Sequence, residues 1–238
     1  MDIITSLAIV AFAALIHASF QLSVSVLTLL SGHAIGAKKS NRNVLKLTTS
    51  FTIGAGVMTL LLLSFVSLIL LHSFNGGIPL LVWALACGLV FGIGIAVWLF
   101  YYRRKADGTE LWIPRGLARY LNTRSKKTDH SAEAFSLGLT SVVAELVFIV
   151  PTLVIAALVL LELPPVWQLA GIGVYTVVSL FGLLVAWSLI GSGRSLARIQ
   201  KWRTDNKRFL QFSAGSALIV LGFFVYVSKI MTTISGAL

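Results

Sequence analysis

The chain has 238 residues, of which 57% are hydrophobic and only 11% charged, with a formal net charge of +11. A soluble domain of this length carries about twice that charged fraction, so the composition excludes an ordinary water-soluble fold and points to hydrocarbon as the solvent. The positive charge excludes nucleic acid as the partner, because the basic residues sit between apolar runs instead of covering one face of a soluble fold.

The first apolar run, Ile3–Leu30, is too long for the core of a signal peptide and follows Met1-Asp2 instead of a basic segment, so it reads as a membrane span. Further runs cover Leu47–Leu71, Ile78–Tyr102, Ala134–Leu161, Val166–Ile190 and Phe209–Ile230, which makes six. Each reaches the roughly 20 residues that a helical span needs. Lipid offers no partner to free backbone groups, so helices are the expected form and the predicted class is an all-α polytopic membrane protein.

The connections orient these spans. Lys38, Lys39, Arg42 and Lys46 follow the first; Arg103 to Lys127 follows the third; Arg194 to Arg208 follows the fifth. Asn75-Gly76-Gly77 and Glu162-Leu163-Pro164-Pro165 carry no basic residue. Every lysine and arginine except Lys229 therefore falls on one side, which the positive-inside rule makes cytoplasmic, with both termini external. The expected location is a prokaryotic inner or plasma membrane. Within the longest connection, Pro114 and the mixture of Trp112, Leu117, Tyr120 and Leu121 with Arg115 and Arg119 suit either a helix lying among headgroups or a solvated basic loop.

Three spans on either side of that connection divide the chain into a first membrane half, 1–105, a basic connection, 106–132, and a second half, 133–238. The halves begin on opposite sides, the inverted arrangement by which many transporters open a central site alternately to each face. Phe20-Gln21-Leu22-Ser23-Val24-Ser25-Val26 is similar to Phe135-Ser136-Leu137-Gly138-Leu139-Thr140-Ser141.

Polar residues inside the spans are the candidate site. His17, Gln21, Ser25 and Thr28 recur at helical spacing in the first, and Gly138, Ser141, Glu145 and Thr152 in the fourth. An ionisable group near the bilayer centre costs a few kcal/mol even on the lenient insertion scale, so Glu145 is expected to face the bundle interior. It would carry protons, coordinate a cation beside hydroxyls and carbonyls, or stay neutral as interhelical glue. His17 is its natural partner, with packing to decide whether the two meet; Thr140 and Ser141 are its polar neighbours, and Pro151 is the expected break in its helix, freeing carbonyls in the preceding turn. His33, His72 and His130 fall at span ends or in a loop, and Lys229 near the outer end of the last span, where it can snorkel to headgroups. Gly88-Leu89-Val90-Phe91-Gly92 is a small-xxx-small pattern for close helix approach, and Trp83, Trp98, Trp112, Trp167 and Trp202 read as interface anchors.

One cysteine, Cys87, rules out dithiol chemistry, and no phosphate loop, zinc-protease helix or serine elbow is found. The reading is therefore not an enzyme, without cofactor, with any metal undetermined. Ala134-Phe135-Ser136-Leu137-Gly138-Leu139-Thr140-Ser141 and Phe212-Ser213-Ala214-Gly215-Ser216-Ala217-Leu218-Ile219-Val220-Leu221-Gly222 make the chain resemble the superfamily of LysE-type exporters and the DsbD and CcdA membrane domains. That resemblance implies two inverted sets of three helices. The thiol carriers' Pro-Cys pair is absent where Val142-Val143-Ala144-Glu145-Leu146 stands, which removes their electron relay, and the exporters' Pro-Gly-Pro break has no counterpart between His17 and Ser25. The expectation is a secondary transporter of a cation or small amino-acid-like solute, proton-coupled through Glu145. The alternative is a scaffold or assembly subunit whose basic loops bind another protein or anionic lipid, with a homo-oligomer as a further form of partnership.

Overall fold

The computed structural model describes residues 2–20, 22–36, 40–74, 77–100, 115–192, 201–202 and 205–235, and among them every regular element is helical. Among the described residues the apolar runs become helix, and side-chain caps set the start of two of the helices. Helix α1 (Ile3–Ser19) begins where the Asp2 carboxylate accepts the Thr5 N–H. After α2 (Leu22–Gly36), Ser40 caps α3 (Asn41–Ser73) through the Asn43 N–H, so α3 starts before the apolar run does and carries Arg42 and Lys46. There follow α4 (Leu80–Phe100), α5 (Arg115–Lys127), α6 (Ser131–Ala144), α7 (Leu146–Leu161), α8 (Pro165–Ser179) and α9 (Phe181–Gly191). Helix α10 (Lys207–Val225) continues through a π-helical turn, Tyr226–Met231, into the short α11 (Thr232–Ser235).

Three helices, α3, α4 and α10 with its π turn, are each long and apolar enough to cross a membrane alone. Three bent pairs reach that length together: α1 with α2 at 47°, α6 with α7 at 79°, and α8 with α9 at 53°. Leu61, Phe65, Leu68, Leu81, Leu85, Leu99 and Phe209 stand exposed on the outer surface. That much open apolar area has a place in lipid and not in water. The protein is a helical membrane protein.

The pairs pack in a regular pattern. Helix α3 lies along α6 and α7, and α1 lies along α8 and α7, while α4 runs beside α10. Helix α4 also reaches α7, and α10 reaches α1. The closest approach is between α3 and α6, where a Cβ on Gly54 would overlap the Phe135 carbonyl and one on Gly138 the Phe51 carbonyl. Glycine is required at both positions because backbone meets backbone there. Gly88 and Gly92, by contrast, have open space around their α-carbons, so the small-xxx-small pattern faces outward; Gly94 and Gly215 make the α4–α10 contact instead.

Helix α5 resolves the choice between helix and loop. Its Ala118, Leu121 and Ser125 are buried against α2 and α6, while Arg119, Tyr120, Arg124, Lys126 and Lys127 are exposed. Trp112 lies outside the described residues. Trp98 and Trp167 are exposed near helix ends, whereas Trp83 is buried.

Candidate functional site

The bends at the first and fourth runs meet, and this junction is the candidate site. Span one breaks without a proline. Phe20 closes α1 by donating its N–H to the His17 carbonyl, and the Ser19 hydroxyl donates to the Ile16 carbonyl. Helix α2 then starts anew, and its first free N–H groups need an acceptor. The Glu145 side chain provides one: its Oε1 accepts the Ser23 N–H at 2.7 Å. The carboxylate thus serves the N-terminus of a helix far away in sequence, where the positive end of the helix dipole favours a negative charge.

Glu145 is itself the break of span four. It is the residue between α6 and α7, 3% exposed, with its N–H on the Val142 carbonyl and its carbonyl accepting from Phe148 and Ile149. Pro151 was expected to make that break, and it does not. It lies inside a continuous α7, buried, early enough in the helix that its missing N–H removes one ladder bond without ending the helix.

The described contacts form three layers, in antiparallel register between the two broken spans. Nearest the basic face, Ser23 meets Glu145, and the Ser141 hydroxyl, on the Gly138 carbonyl at 2.8 Å, stands 3.2 Å from the Ser23 hydroxyl. In the middle, the rings of Phe20 and Phe148 stack with centroids 5.5 Å apart, both side chains buried. Toward the other face, His17 Nδ1 lies 3.1 Å from the Tyr175 hydroxyl, which lies 3.0 Å from the Thr152 hydroxyl, which donates to the Ile149 carbonyl. His17 is 5% exposed and Tyr175 fully enclosed.

This sorting corrects the expected site in several ways. His17 pairs with Tyr175 and not with Glu145, because the break at Phe20 turns α2 away from the line that helical spacing drew through His17, Ser25 and Thr28. Thr28 bonds the Val24 carbonyl and Thr140 the Ser136 carbonyl, each within its own helix. Gln21 lies outside the described residues. Ser141 and Glu145 do come together. Sequence reasoning missed Tyr175 and Ser23. A hydroxyl in the middle of an apolar run was the available signal for the first; the second meets Glu145 through its backbone N–H, and that contact leaves no signal in the sequence. The similarity of Phe20–Val26 to Phe135–Ser141 does not superimpose the breaks, since Phe20 ends α1 while Phe135 lies early in α6.

Lys229 has partners within the protein. From the π turn it bonds the Glu162 carboxylate at the end of α7 and lies 5.2 Å from the centroid of the buried Trp83 ring. Among the described residues no group of three histidine, cysteine, aspartate or glutamate side chains is placed to hold a metal ion. No family model, curated protein or solved structure matches the chain.

Proposed function

We propose that the protein is a secondary transporter with six spans, built as two inverted halves, 1–105 and 133–238, that exchange shapes around the junction of the broken helices. The helix pairings favour this reading. Exchanging span one with four, two with five and three with six turns the packing of α3 on α6 into that of α8 on α1. It leaves α4 beside α10, and matches α4 against span four with α10 against span one. The resemblance to the LysE-type superfamily belongs to the same reading, as does a cytoplasmic basic face with both termini external.

The observation that carries the proposal is the hydrogen bond from the Ser23 N–H to Glu145, which makes the two breaks depend on each other. An ionised acceptor makes such a bond worth about 1.5–3 kcal/mol, against about 1 for a neutral one. Protonating Glu145 therefore weakens the hold on α2 by about tenfold, enough to shift a balanced pair of states. Phe20 and Phe148 form an apolar partition between the Glu145 layer and the His17 layer, which a proton or solute crosses only when the stack opens. In this reading the side away from the basic face is the closed one. There α4 and α10 lean on α7 and α1, and Lys229 ties the π turn to Glu162. The cargo is a cation or a small amino-acid-like solute.

The test is Glu145→Gln in proteoliposomes with an imposed proton gradient. Glutamine keeps an acceptor for Ser23 but cannot ionise, so coupled uptake or efflux should fall by about tenfold or more while the folded protein persists. Undiminished coupled transport would overturn the role of Glu145.

A further inference from the structure

The turn between α5 and α6 encloses a cleft of about 360 Å³ that the transport reading does not use. One wall is Tyr120 and Arg124 of α5 with Thr128 just past its end; the other is the first turns of α6, with Glu133 and Ser136, and Leu137 also lines the cleft. Arg124 stands over the Tyr120 ring, 5.9 Å from its centroid. The Glu133 carboxylate accepts the Asp129 N–H with one oxygen at 3.1 Å. Arg124 and Glu133 line the same cleft, yet no ion pair joins the two. Two opposite charges that share a cleft without touching leave a seat for a molecule bearing both a negative and a positive group.

Its location selects the source of that molecule. Helix α6 is where the chain enters the apolar core on the basic side, and α5 is an amphipathic helix buried on one side and exposing Arg119, Lys126 and Lys127 on the other. A cleft at that level opens among lipid headgroups. We propose that it binds the headgroup of a phospholipid with a primary ammonium. The phosphate would lie on the Arg124 guanidinium with the Ser136 hydroxyl beside it. The ammonium would lie on the second oxygen of Glu133. A primary ammonium brings three N–H donors to a carboxylate, whereas a trimethylated one brings none and is too wide to approach as closely. The site therefore distinguishes ethanolamine from choline headgroups, and it stands whether or not the protein transports anything.

The experiment is native mass spectrometry of the full chain released from nanodiscs holding equal amounts of phosphatidylethanolamine and phosphatidylcholine in a phosphatidylglycerol background. Wild-type protein should retain the ethanolamine lipid about tenfold over the choline lipid, as expected for a charge-assisted contact. Glu133→Gln should bring that ratio close to one and leave phosphatidylglycerol retention unchanged. Arg124→Gln should lower retention of the ethanolamine lipid and of phosphatidylglycerol together. Arg119→Gln, on the same helix but outside the cleft, should keep the wild-type ratio. A wild-type ratio near one, or a ratio that Glu133→Gln does not alter, would overturn the proposal. So would complete displacement of the lipid by an equal concentration of free phosphoethanolamine, which would identify a soluble zwitterion as the occupant.

Discussion

Helices α4 and α7 are sequences of one kind, apolar from end to end and without a charged residue, yet they occupy opposite places. Helix α4 turns Leu81, Leu85, Leu89 and Leu99 outward, whereas α7 is enclosed on nearly every side from Phe148 to Leu160. In water that difference would be written in the polarity of one face. In a bilayer it is not, because lipid tails are as apolar as leucine and packing, not transfer, decides which helix is central. What marks α7 is its neighbourhood: an acid at its start, a hydroxyl on Tyr175, and an ion pair to Lys229 from the glutamate that follows it.

The sharpest way to break this comparison is to fill a glycine on each side of it. Gly138→Leu, at the backbone contact that seats span four on α3, should cost about 3 kcal/mol or more and yield aggregate in detergent. Gly88→Leu on α4, with open space around it, should elute as wild type. Equal behaviour of the two would mean that α4 is not the outward helix. Truncating a leucine in each helix sharpens the same point. Leu158→Ala, at 0% exposure in α7, should lower the unfolding free energy in mixed micelles by about 2–5 kcal/mol. Leu85→Ala, at 65% exposure in α4, should change it by less than about 0.5 kcal/mol. A smaller loss than at Leu158 is expected at the hydroxyl layer. Tyr175→Phe leaves the ring in place and removes the bridge between His17 and Thr152, for about 0.5–1.5 kcal/mol. Unfolding curves indistinguishable from wild type would show that this layer adds nothing to the centre.

The candidate site was legible in part. Glu145 stood out because a carboxyl inside a long apolar run has to find company, and it is buried at the junction. Ser141 followed from helical spacing, which holds within α6. The same arithmetic failed in span one, because His17 and Ser25 sit on different helices. Proline misled in span four: Pro151 drew the expected break toward itself, whereas the chain turns at Glu145.

Helical class, the approximate ends of the apolar runs and the gathering of charge on one side follow from the sequence by itself, because they rest on transfer free energies summed over neighbouring residues. Where three of the spans break, which helix is central, and which partner each buried polar group takes were decided only by the tertiary structure. A helix stops where its backbone groups find other partners, and the acceptor for the Ser23 N–H lies 122 residues along the chain.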